Sequence, residues 1–363
     1  MTSAPDPRTR PAPADTTTTA SPTASPAAGP APSPAAIGRR LSVVADQTTD
    51  SPAPAGCNSS SPRTDVLGEA SRPRKAAVAK AGAELRGEVL LTLAQLRLAT
   101  PRQLKALLLP HQQDTDHVRR ALRNLLESPA LVGRTNRAQQ SYWHCTPAGL
   151  AEAAASGELA PTTGRTTGKR IAASRTGLRE HGLALVDTVI AFHQAQLADH
   201  ADWRVEVPHP TPAGNLLPDG VVLLADGSSA FVEIDRTMSY ARLIAKLERY
   251  DAYRGAPVAG RGNAARPPRS HWQENYAGPS LERPFPPVLF VFAPARRRAD
   301  PDTREAAFHE RAGRVGSVGY RLTVATTTLA LLMEHGAGRS VWRVVGNHRG
   351  EERRTLAALP KAR

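Results

Sequence analysis

Apolar residues recur with a helical period from Gly82 onward. They fall in three successive segments, the second ending at Pro110 and the third at Pro129. Their apolar positions are Leu85, Val89, Leu93 and Leu96; then Leu104, Leu107 and Leu108; then Val118, Leu122, Leu125 and Leu126. Thr100-Pro101 marks the start of the second segment, because Thr is a favoured N-cap and Pro a favoured first helical residue. The pattern predicts three short helices.

Alternation of polar and apolar residues follows the third helix. Leu131–Arg134 and Ser141–His144 predict two strands, and the polar segment Thr135–Gln140 predicts the turn that joins them. Thr146-Pro147 then starts another helix. Three helices, a hairpin and a closing helix over residues 82–152 predict a winged helix-turn-helix domain.

Basic and amide side chains of the third predicted helix lie opposite its apolar stripe. In a winged helix, this helix enters the major groove and the hairpin contacts the backbone or minor groove. The predicted DNA-binding residues are Arg119, Arg120, Arg123, Asn124, Arg134 and Arg137. A solvated basic face is the alternative, and some winged helices bind only proteins. The basic helix and basic hairpin together favour double-stranded DNA.

Helical and strand patterns alternate over residues 177–346. Their order is helix, three strands, helix, strand, helix, strand, helix, strand, which predicts an α/β domain. A Gly-, Thr- and Ala-rich linker is expected at residues 153–176, a mobile Arg-, Pro- and Gly-rich insertion at 255–287, and a basic tail at 347–363.

Three acids lie at the ends of two neighbouring predicted strands of this domain. Asp219 precedes the strand Gly220–Leu224, whereas Glu233 and Asp235 lie at the end of the next strand. Side chains two residues apart in a strand share a face. Mg²⁺ takes oxygen ligands, usually one or two carboxylates with phosphate and water. Asp219, Glu233 and Asp235 are therefore candidate metal ligands and catalytic residues.

The turn between these strands determines whether the acids meet. A two-residue turn at Asp226-Gly227 places Asp219 opposite Ile234 and turns the other two acids to the opposite face. A three-residue loop, Asp226–Ser228, pairs Asp219 with Asp235 and brings all three acids together. The sequence leaves both registers open.

An acid, a strand, a turn and a strand ending in acids resemble the core of PD-(D/E)XK nucleases. That motif has Lys two residues after its second acid, where this chain has Asp235. Lys246, on the following helix, is a candidate displaced lysine and fourth catalytic residue. Arg236 is a weaker substitute because it stays protonated. The alternative is a surface ion-pair group in an inactive fold.

Composition adds two points. The formal charge of +14 suits a polyanionic partner, but only six of the 47 basic residues are lysines, so a GC-rich genome also explains the excess of arginine. Residues 1–80 are rich in Pro, Ala, Ser and Thr and predict a disordered tail. We find no signal peptide or transmembrane pattern, so a cytoplasmic protein that binds no membrane is expected.

Several motifs together resemble the actinobacterial replication-relaxation family. They are the winged helix, the helix His181–Asp187, Pro218-Asp219, and Glu233–Ser239 leading to Lys246 and Tyr250. The resemblance covers about Leu85 to Val345. It implies a role in plasmid replication, transfer or DNA relaxation, with a homodimer or replication and transfer proteins as further candidate partners.

Two functions from different classes follow. The first is a plasmid-associated DNA-binding protein whose second domain is a Mg²⁺-dependent endonuclease or nickase. The second is a transcription or replication regulator without enzymatic activity, in which the α/β domain is an interaction module.

Overall fold

The computed structural model of this protein describes residues 72–127, 129–137, 139–157, 159, 168, 177–256, 269–277, 283–296, 298–346 and 352–362, with side chains from residue 82 onward. These residues all belong to one compact unit, Ser61–Arg363. Most of the predicted tail and most of the predicted linker lie outside the described residues. Among the residues described, no helix has the length and apolarity needed to cross a membrane.

The first part of the fold, which we call the amino-proximal module, comprises four helices and a hairpin. Its elements are α1 (Arg72–Leu96), α2 (Pro101–Leu108), α3 (Asp116–Leu126), β1 (Val132–Arg137), β2 (Gln140–Cys145) and α4 (Pro147–Ala155). The predicted element order is therefore observed. Val89, Leu104, Val118, Leu122 and Val132 are fully buried in its core, where the apolar stripes of the helices meet the hairpin.

Helix α1 begins at Arg72, ten residues before the predicted start, so residues 72–80 are not part of a disordered tail. The sequence there is rich in alanine and has no apolar stripe. Alanine has the highest helix propensity of all residues, because its side chain loses no rotamer entropy in a helix. Hydrophobic periodicity therefore did not predict that α1 extends back to Arg72.

The predicted N-cap of α2 is confirmed. The Thr100 hydroxyl accepts a hydrogen bond from the Gln103 backbone N–H at 3.2 Å, and the Gln103 side chain accepts one from the Thr100 backbone at 3.0 Å. This capping box satisfies two of the otherwise unpaired N–H groups at the start of the helix. It also orients Gln103, whose amide donates to Leu183 O and to Asp187 Oδ1 of the helix Leu178–Gln194 in the second part of the fold.

The second part of the fold is built on a seven-stranded mixed sheet. Its helices are α5 (Leu178–Gln194), α6 (Tyr240–Arg254), α7 (His271–Tyr276), α8 (Pro301–Ala312) and α9 (Leu329–His335). Its strands are β3 (Trp203–Val205), β4 (His209–Thr211), β5 (Gly214–Leu216), β6 (Gly220–Leu223), β7 (Ser229–Asp235), β8 (Val288–Phe292), β9 (Val324–Thr328), β10 (Trp342–Val344) and β11 (Arg353–Arg354). The sheet order is β11-β10-β9-β8-β7-β6-β3, and β4 pairs with β5 separately.

The central strands β7, β8 and β9 run parallel, and the outer pairs are antiparallel. All residues of these three strands are buried, because helices cover both faces. Helices α5 and α9 pack on one face together with Val232 and Ile234, whereas α6, α7 and α8 pack on the other with Phe231 and Phe290. The domain is therefore a three-layer α/β arrangement, as predicted.

Two predicted boundaries are wrong. The insertion at 255–287 contains α7, whose Trp272 and Tyr276 are buried against the sheet, so this part is ordered core rather than mobile chain. The expected basic tail at 347–363 includes β11, which pairs with β10, and the buried Leu356. The described residues of both segments are held by long-range packing that local composition did not indicate.

Stability should depend on pH through a buried histidine. His209 is fully buried, with its Nε2 2.6 Å from the Tyr276 hydroxyl, and burial and the neighbouring His271 lower its pKa to about 4. The unfolded chain protonates His209 near pH 6.5. Stability from the neutral ring is thus complete above pH 6.5 and lost as pH falls to about 4, by about 3 kcal/mol.

Urea denaturation at pH 7 and pH 4 measures this loss. Replacing His209 by Phe should remove about 3 kcal/mol of the pH-dependent change, whereas replacing the exposed His335 by Ala should remove none. The partly buried His309, whose pKa desolvation also lowers to about 4, keeps its own contribution in both variants. An unaltered pH dependence in His209→Phe would contradict the assignment.

Candidate functional site

Glu233 is the buried centre of a polar group at the carboxyl end of β7. Its side chain is 3% exposed and accepts hydrogen bonds from the Lys246 ammonium and the Tyr250 hydroxyl, one on each carboxylate oxygen. Lys246 and Tyr250 lie four residues apart on α6, so both side chains leave the same face of that helix. Helix α6 thus holds Glu233 from one side of the sheet.

Asp219 lies immediately before β6 and is held from the other side of the sheet. Its Oδ2 accepts a hydrogen bond from the Ile234 N–H at 2.7 Å, and its Oδ1 is 3.2 Å from His181 Nε2 on α5. His181 therefore faces the acid instead of being a free surface histidine. Asp219 connects the β6–β7 edge to the first turn of α5.

The two acids have different proton affinities. Burial raises the pKa of Glu233 to about 7, with Asp219 adding to the rise and Lys246 opposing it. Burial also acts to raise the pKa of Asp219, but His181 and Lys246 outweigh it and hold that pKa well below its usual range. Asp219 is therefore a permanent anion, and Glu233 is an acid whose charge depends on its neighbours.

The acids favour the protonated forms of the basic groups around them. Burial lowers the pKa of Lys246, but Glu233 and Asp219 outweigh this effect and raise that pKa above the ordinary value. In the same way, Asp219 raises the pKa of His181 against the effect of burial. Burial beside Glu233 places the pKa of the Tyr250 hydroxyl well above 10, so this group remains a hydrogen-bond donor.

The structure separates Asp235 from this group. Asp235 is fully buried and forms an ion pair with Arg304 of α8, whose Nε lies 3.0 Å from Asp235 Oδ2. Its other oxygen accepts from the Met238 N–H at 3.0 Å. Both carboxylate oxygens thus serve to anchor the turn after β7 to α8. Convergence of Asp219, Glu233 and Asp235 was one of two alternatives that the sequence left open; here Arg304 and the Met238 N–H engage Asp235, whereas Lys246 and Tyr250 engage Glu233.

The register of β6 and β7 explains this arrangement, and it matches neither predicted turn. Gly220 pairs with Val232 and Leu223 with Ser229, so Asp219 lies opposite Glu233. The loop has three residues, Ala225–Gly227, one position earlier than the predicted three-residue loop, and Leu224 N–H bonds to Ser228 O. Gly227 has φ 76°, a conformation that favours glycine.

Arg236 does not replace the missing lysine of the motif. Its guanidinium donates to the backbone carbonyls of Pro294 at 3.0 Å and Gly177 at 3.3 Å. It therefore fastens the start of α5 to the loop after β8, away from Glu233. Lys246 is the cation that contacts Glu233.

Asp219 and Glu233 together offer the donor set that suits one Mg²⁺ ion, since that ion takes one or two carboxylates and completes its shell with phosphate and water. Among the described residues, the group of three ligand side chains whose atoms lie within 4.8 Å of one another is a different one: His193, Asp199 and His200. A metal at Asp219 and Glu233 therefore depends on ligands from a substrate or solvent.

A small cavity lies beside Asp219, between the two parts of the fold. It is lined by the end of α1 and the following residues, Leu96–Leu98, and by His181, Glu206 and Asp219 of the α/β part. Arg97 Nε is 3.6 Å from Glu206 Oε2 across it. Glu206 has φ 50°, a strained backbone conformation of a kind that concentrates at functional sites.

The predicted DNA-binding residues all lie on the surface of the amino-proximal module. On α3, the exposed residues are Arg119, Arg120, Arg123 and Asn124, opposite the buried Val118, Leu122 and Leu125. In β1, Arg134 and Arg137 are exposed, and the Arg134 guanidinium lies 5.7 Å from the centre of the Trp143 ring. The structure therefore places these side chains where a ligand could reach them.

Sequence reasoning missed two residues that shape the site. Tyr250 was named only within the family resemblance and was given no role, although its spacing of four from Lys246 was a usable signal. Arg304 is 69 positions from Asp235 and carried no local signal. Only the packing of α8 beside β7 reveals that pair.

Comparison with known proteins gives one family. Residues 90–266, slightly less than half of the chain, match the family model described as Replication-relaxation. No curated protein and no solved structure matches the chain. The matched range includes Asp219, Glu233, Lys246 and most of the amino-proximal module. Over this range the chain is therefore similar to the replication-relaxation family, which supports the resemblance that its motifs indicate.

Proposed function

We propose that this protein binds double-stranded DNA and nicks it in a metal-dependent reaction, as part of a replication or DNA-relaxation process. The observation that carries the proposal is the contact of Glu233 with Lys246 opposite Asp219, at the edge of a buried sheet. Two carboxylates and an ammonium in this arrangement resemble the PD-(D/E)XK nuclease core, with the lysine supplied by α6. The family match supports the replication or relaxation context.

Each side chain has a distinct task in this proposal. Asp219, permanently charged, and Glu233 bind the metal, which when present activates water and polarises the phosphate. Lys246 stays protonated, so it acts as a hydrogen-bond donor to the phosphate or the attacking water and not as a base. Tyr250 and His181 are positioning residues, because they hold Glu233 and Asp219 respectively.

Hydrolysis of the phosphodiester balances with these groups. Water forms the new bond to phosphorus, the bond from phosphorus to one sugar oxygen breaks, and the leaving oxygen receives a proton. The Lys246 ammonium stabilises the extra negative charge of the transition state, where a buried cation acts more strongly than in water.

Delivery of the substrate is assigned to the amino-proximal module. Helix α3 presents its exposed basic face, as a recognition helix in the major groove does, and the exposed arginines of β1 suit phosphate contacts. The module meets the α/β part beside Asp219, where Leu96–Leu98 and Asp219 line the same cavity. DNA held by α3 is thereby tied to the domain that carries the acids.

A regulator without enzymatic activity is the second candidate, and one observation favours it. Glu233 is already bonded to Lys246 and Tyr250, and Asp235 is bonded to Arg304, so the acids are satisfied within the chain. Purified full-length protein with supercoiled plasmid distinguishes the two functions. Nicked circles in Mg²⁺ or Mn²⁺, and none in EDTA, support the nuclease; intact plasmid with every divalent metal supports the regulator.

Replacing Arg120 and Arg123 together by Ala should weaken duplex DNA binding tenfold to a hundredfold. Each lost phosphate contact should also flatten the plot of log K against log salt by about 0.9. Fluorescence anisotropy at several salt concentrations measures both effects. The matched control replaces Arg314 and Arg339, two exposed arginines of the α/β part. Equal affinity and slope in the two double variants would place the DNA elsewhere.

A further inference from the structure

A cluster of two imidazoles and one carboxylate lies at the carboxyl end of α5, apart from the proposed nuclease site. His193 is in the last turn of α5, and Asp199 and His200 begin a short 3₁₀ helix, His200–Asp202. Their ligand atoms lie within 4.8 Å of one another. The Asp199 Oδ1 to His200 Nδ1 distance is 3.0 Å, and the rings of His193 and His200 meet edge to face at 5.2 Å.

We propose that His193, Asp199 and His200 bind a Zn²⁺ ion. Imidazole nitrogen and carboxylate oxygen are both zinc ligands, at about 2.0–2.2 Å, which puts neighbouring ligands of a tetrahedral site roughly 3.4 Å apart. The spacing of this cluster therefore needs only small shifts to close around an ion. Two imidazoles favour Zn²⁺ over Mg²⁺, which prefers oxygen ligands.

The surroundings of both rings support the assignment. A metal-bound histidine almost always donates its second ring N–H to a nearby oxygen, which orients the ring and fixes its tautomer. The backbone of Leu107 interacts with the His193 ring. His200 Nε2 lies 3.3 Å from the Thr92 hydroxyl, which leaves Nδ1, on the Asp199 side, for the metal.

The groups that contact the two histidine rings come from a different part of the fold than the proposed ligands. Thr92 belongs to α1 and Leu107 to α2, so the groups beside the two rings come from the amino-proximal module, whereas all three ligands come from the α/β part. Gln95 of α1 also donates to the Ala201 carbonyl at 2.9 Å, next to the cluster. Zn²⁺ would thus fasten the module that carries the predicted DNA-binding face to the α/β part.

Titration of untagged, EDTA-treated full-length protein with Co²⁺ tests the site, because Co²⁺ replaces Zn²⁺ and gives visible absorption in a tetrahedral site. We expect one equivalent to bind and to be displaced by Zn²⁺. His193→Ala with His200→Ala should lower the affinity at least a hundredfold. Asp199→Asn, which keeps the side-chain oxygen that caps Ala201 N–H, should lower it tenfold or more.

Two controls separate this site from others. His335→Ala removes an exposed histidine next to Glu334, and Asp219→Asn alters the proposed nuclease site; both should bind Co²⁺ like the parent protein. Absence of one-equivalent binding, or unchanged binding in Asp199→Asn and in the double variant, would overturn the proposal. Thermal unfolding in EDTA shows whether each variant is folded. If the double variant is unfolded, the Co²⁺ affinity of Asp199→Asn decides the test.

Discussion

Glu233→Gln should lower the rate of plasmid nicking about a thousandfold, equivalent to about 4 kcal/mol of transition-state stabilisation. Glutamine has nearly the same shape; its amide oxygen can still accept from Lys246, and its amide NH₂ can donate to the Tyr250 hydroxyl oxygen, so the fold should be retained. It lacks the negative charge that a divalent metal requires. Conversion of supercoiled plasmid to nicked circles in Mg²⁺ measures the rate.

Companion variants locate the effect. Asp219→Asn should cause a similar loss, because it removes the acid that is always charged. Lys246→Met should lower the rate at least a hundredfold, since it removes the transition-state cation and leaves Glu233 buried without its counter-ion. Glu248→Gln, an exposed acid on the same helix as Lys246, is the matched control and should nick like the parent.

Binding of duplex DNA should remain intact in all of these variants, because the proposed DNA-binding face lies on α3 and β1. Nicking that persists in both Asp219→Asn and Glu233→Gln would rule out this site as the catalytic centre. Loss of nicking together with loss of DNA binding would instead indicate that the acids support the fold.

Asp235→Ala should reduce the free energy of unfolding by about 3–5 kcal/mol, because it leaves the guanidinium of Arg304 buried without its counter-ion. Arg304 is 7% exposed and Asp235 fully buried, so water cannot compensate for the lost charge. Urea denaturation monitored by tryptophan fluorescence gives the value. The expected loss follows from a structural role for Asp235, which sequence analysis predicted as a metal ligand.

A surface pair supplies the matched control. Asp251→Ala breaks the ion pair with Arg321, whose side chain is 48% exposed, and should cost at most about 1 kcal/mol. Asp235→Ala combined with Arg304→Ala should cost less than the sum of the two single changes, because the second removes the uncompensated charge. A loss below about 1 kcal/mol for Asp235→Ala would contradict this structural role and leave Asp235 as a candidate metal ligand.

Local chemistry explains which elements were predictable. Thr100-Pro101 and the apolar spacing of α2 and α3 are short-range signals, and a helix forms between neighbours in the chain, so these elements agree with the structure. The extension of α1 to Arg72 was missed because alanine favours a helix without forming a stripe. Helix α7 was missed because Trp272 and Tyr276 are stabilised by the sheet, not by their own segment.

For the site, the sequence by itself determined which residues are candidates for the chemistry. It identified Asp219 before one strand, Glu233 and Asp235 at the end of the next, and Lys246 on the following helix. Strand alternation and helical pitch are properties of the backbone, so these groupings follow from spacing alone. Spacing along the chain does not show which group faces each charged side chain in the folded protein.

Only the tertiary structure decided that Asp235 pairs with Arg304, that His181 faces Asp219, and that His193 and His200 meet beside Thr92. These partners are separated by many residues along the chain, and the β6–β7 register that positions Asp219 was open in the sequence. The physical reason is desolvation. A buried charge is tolerated only next to a compensating group, and the packing of distant elements determines which group that is.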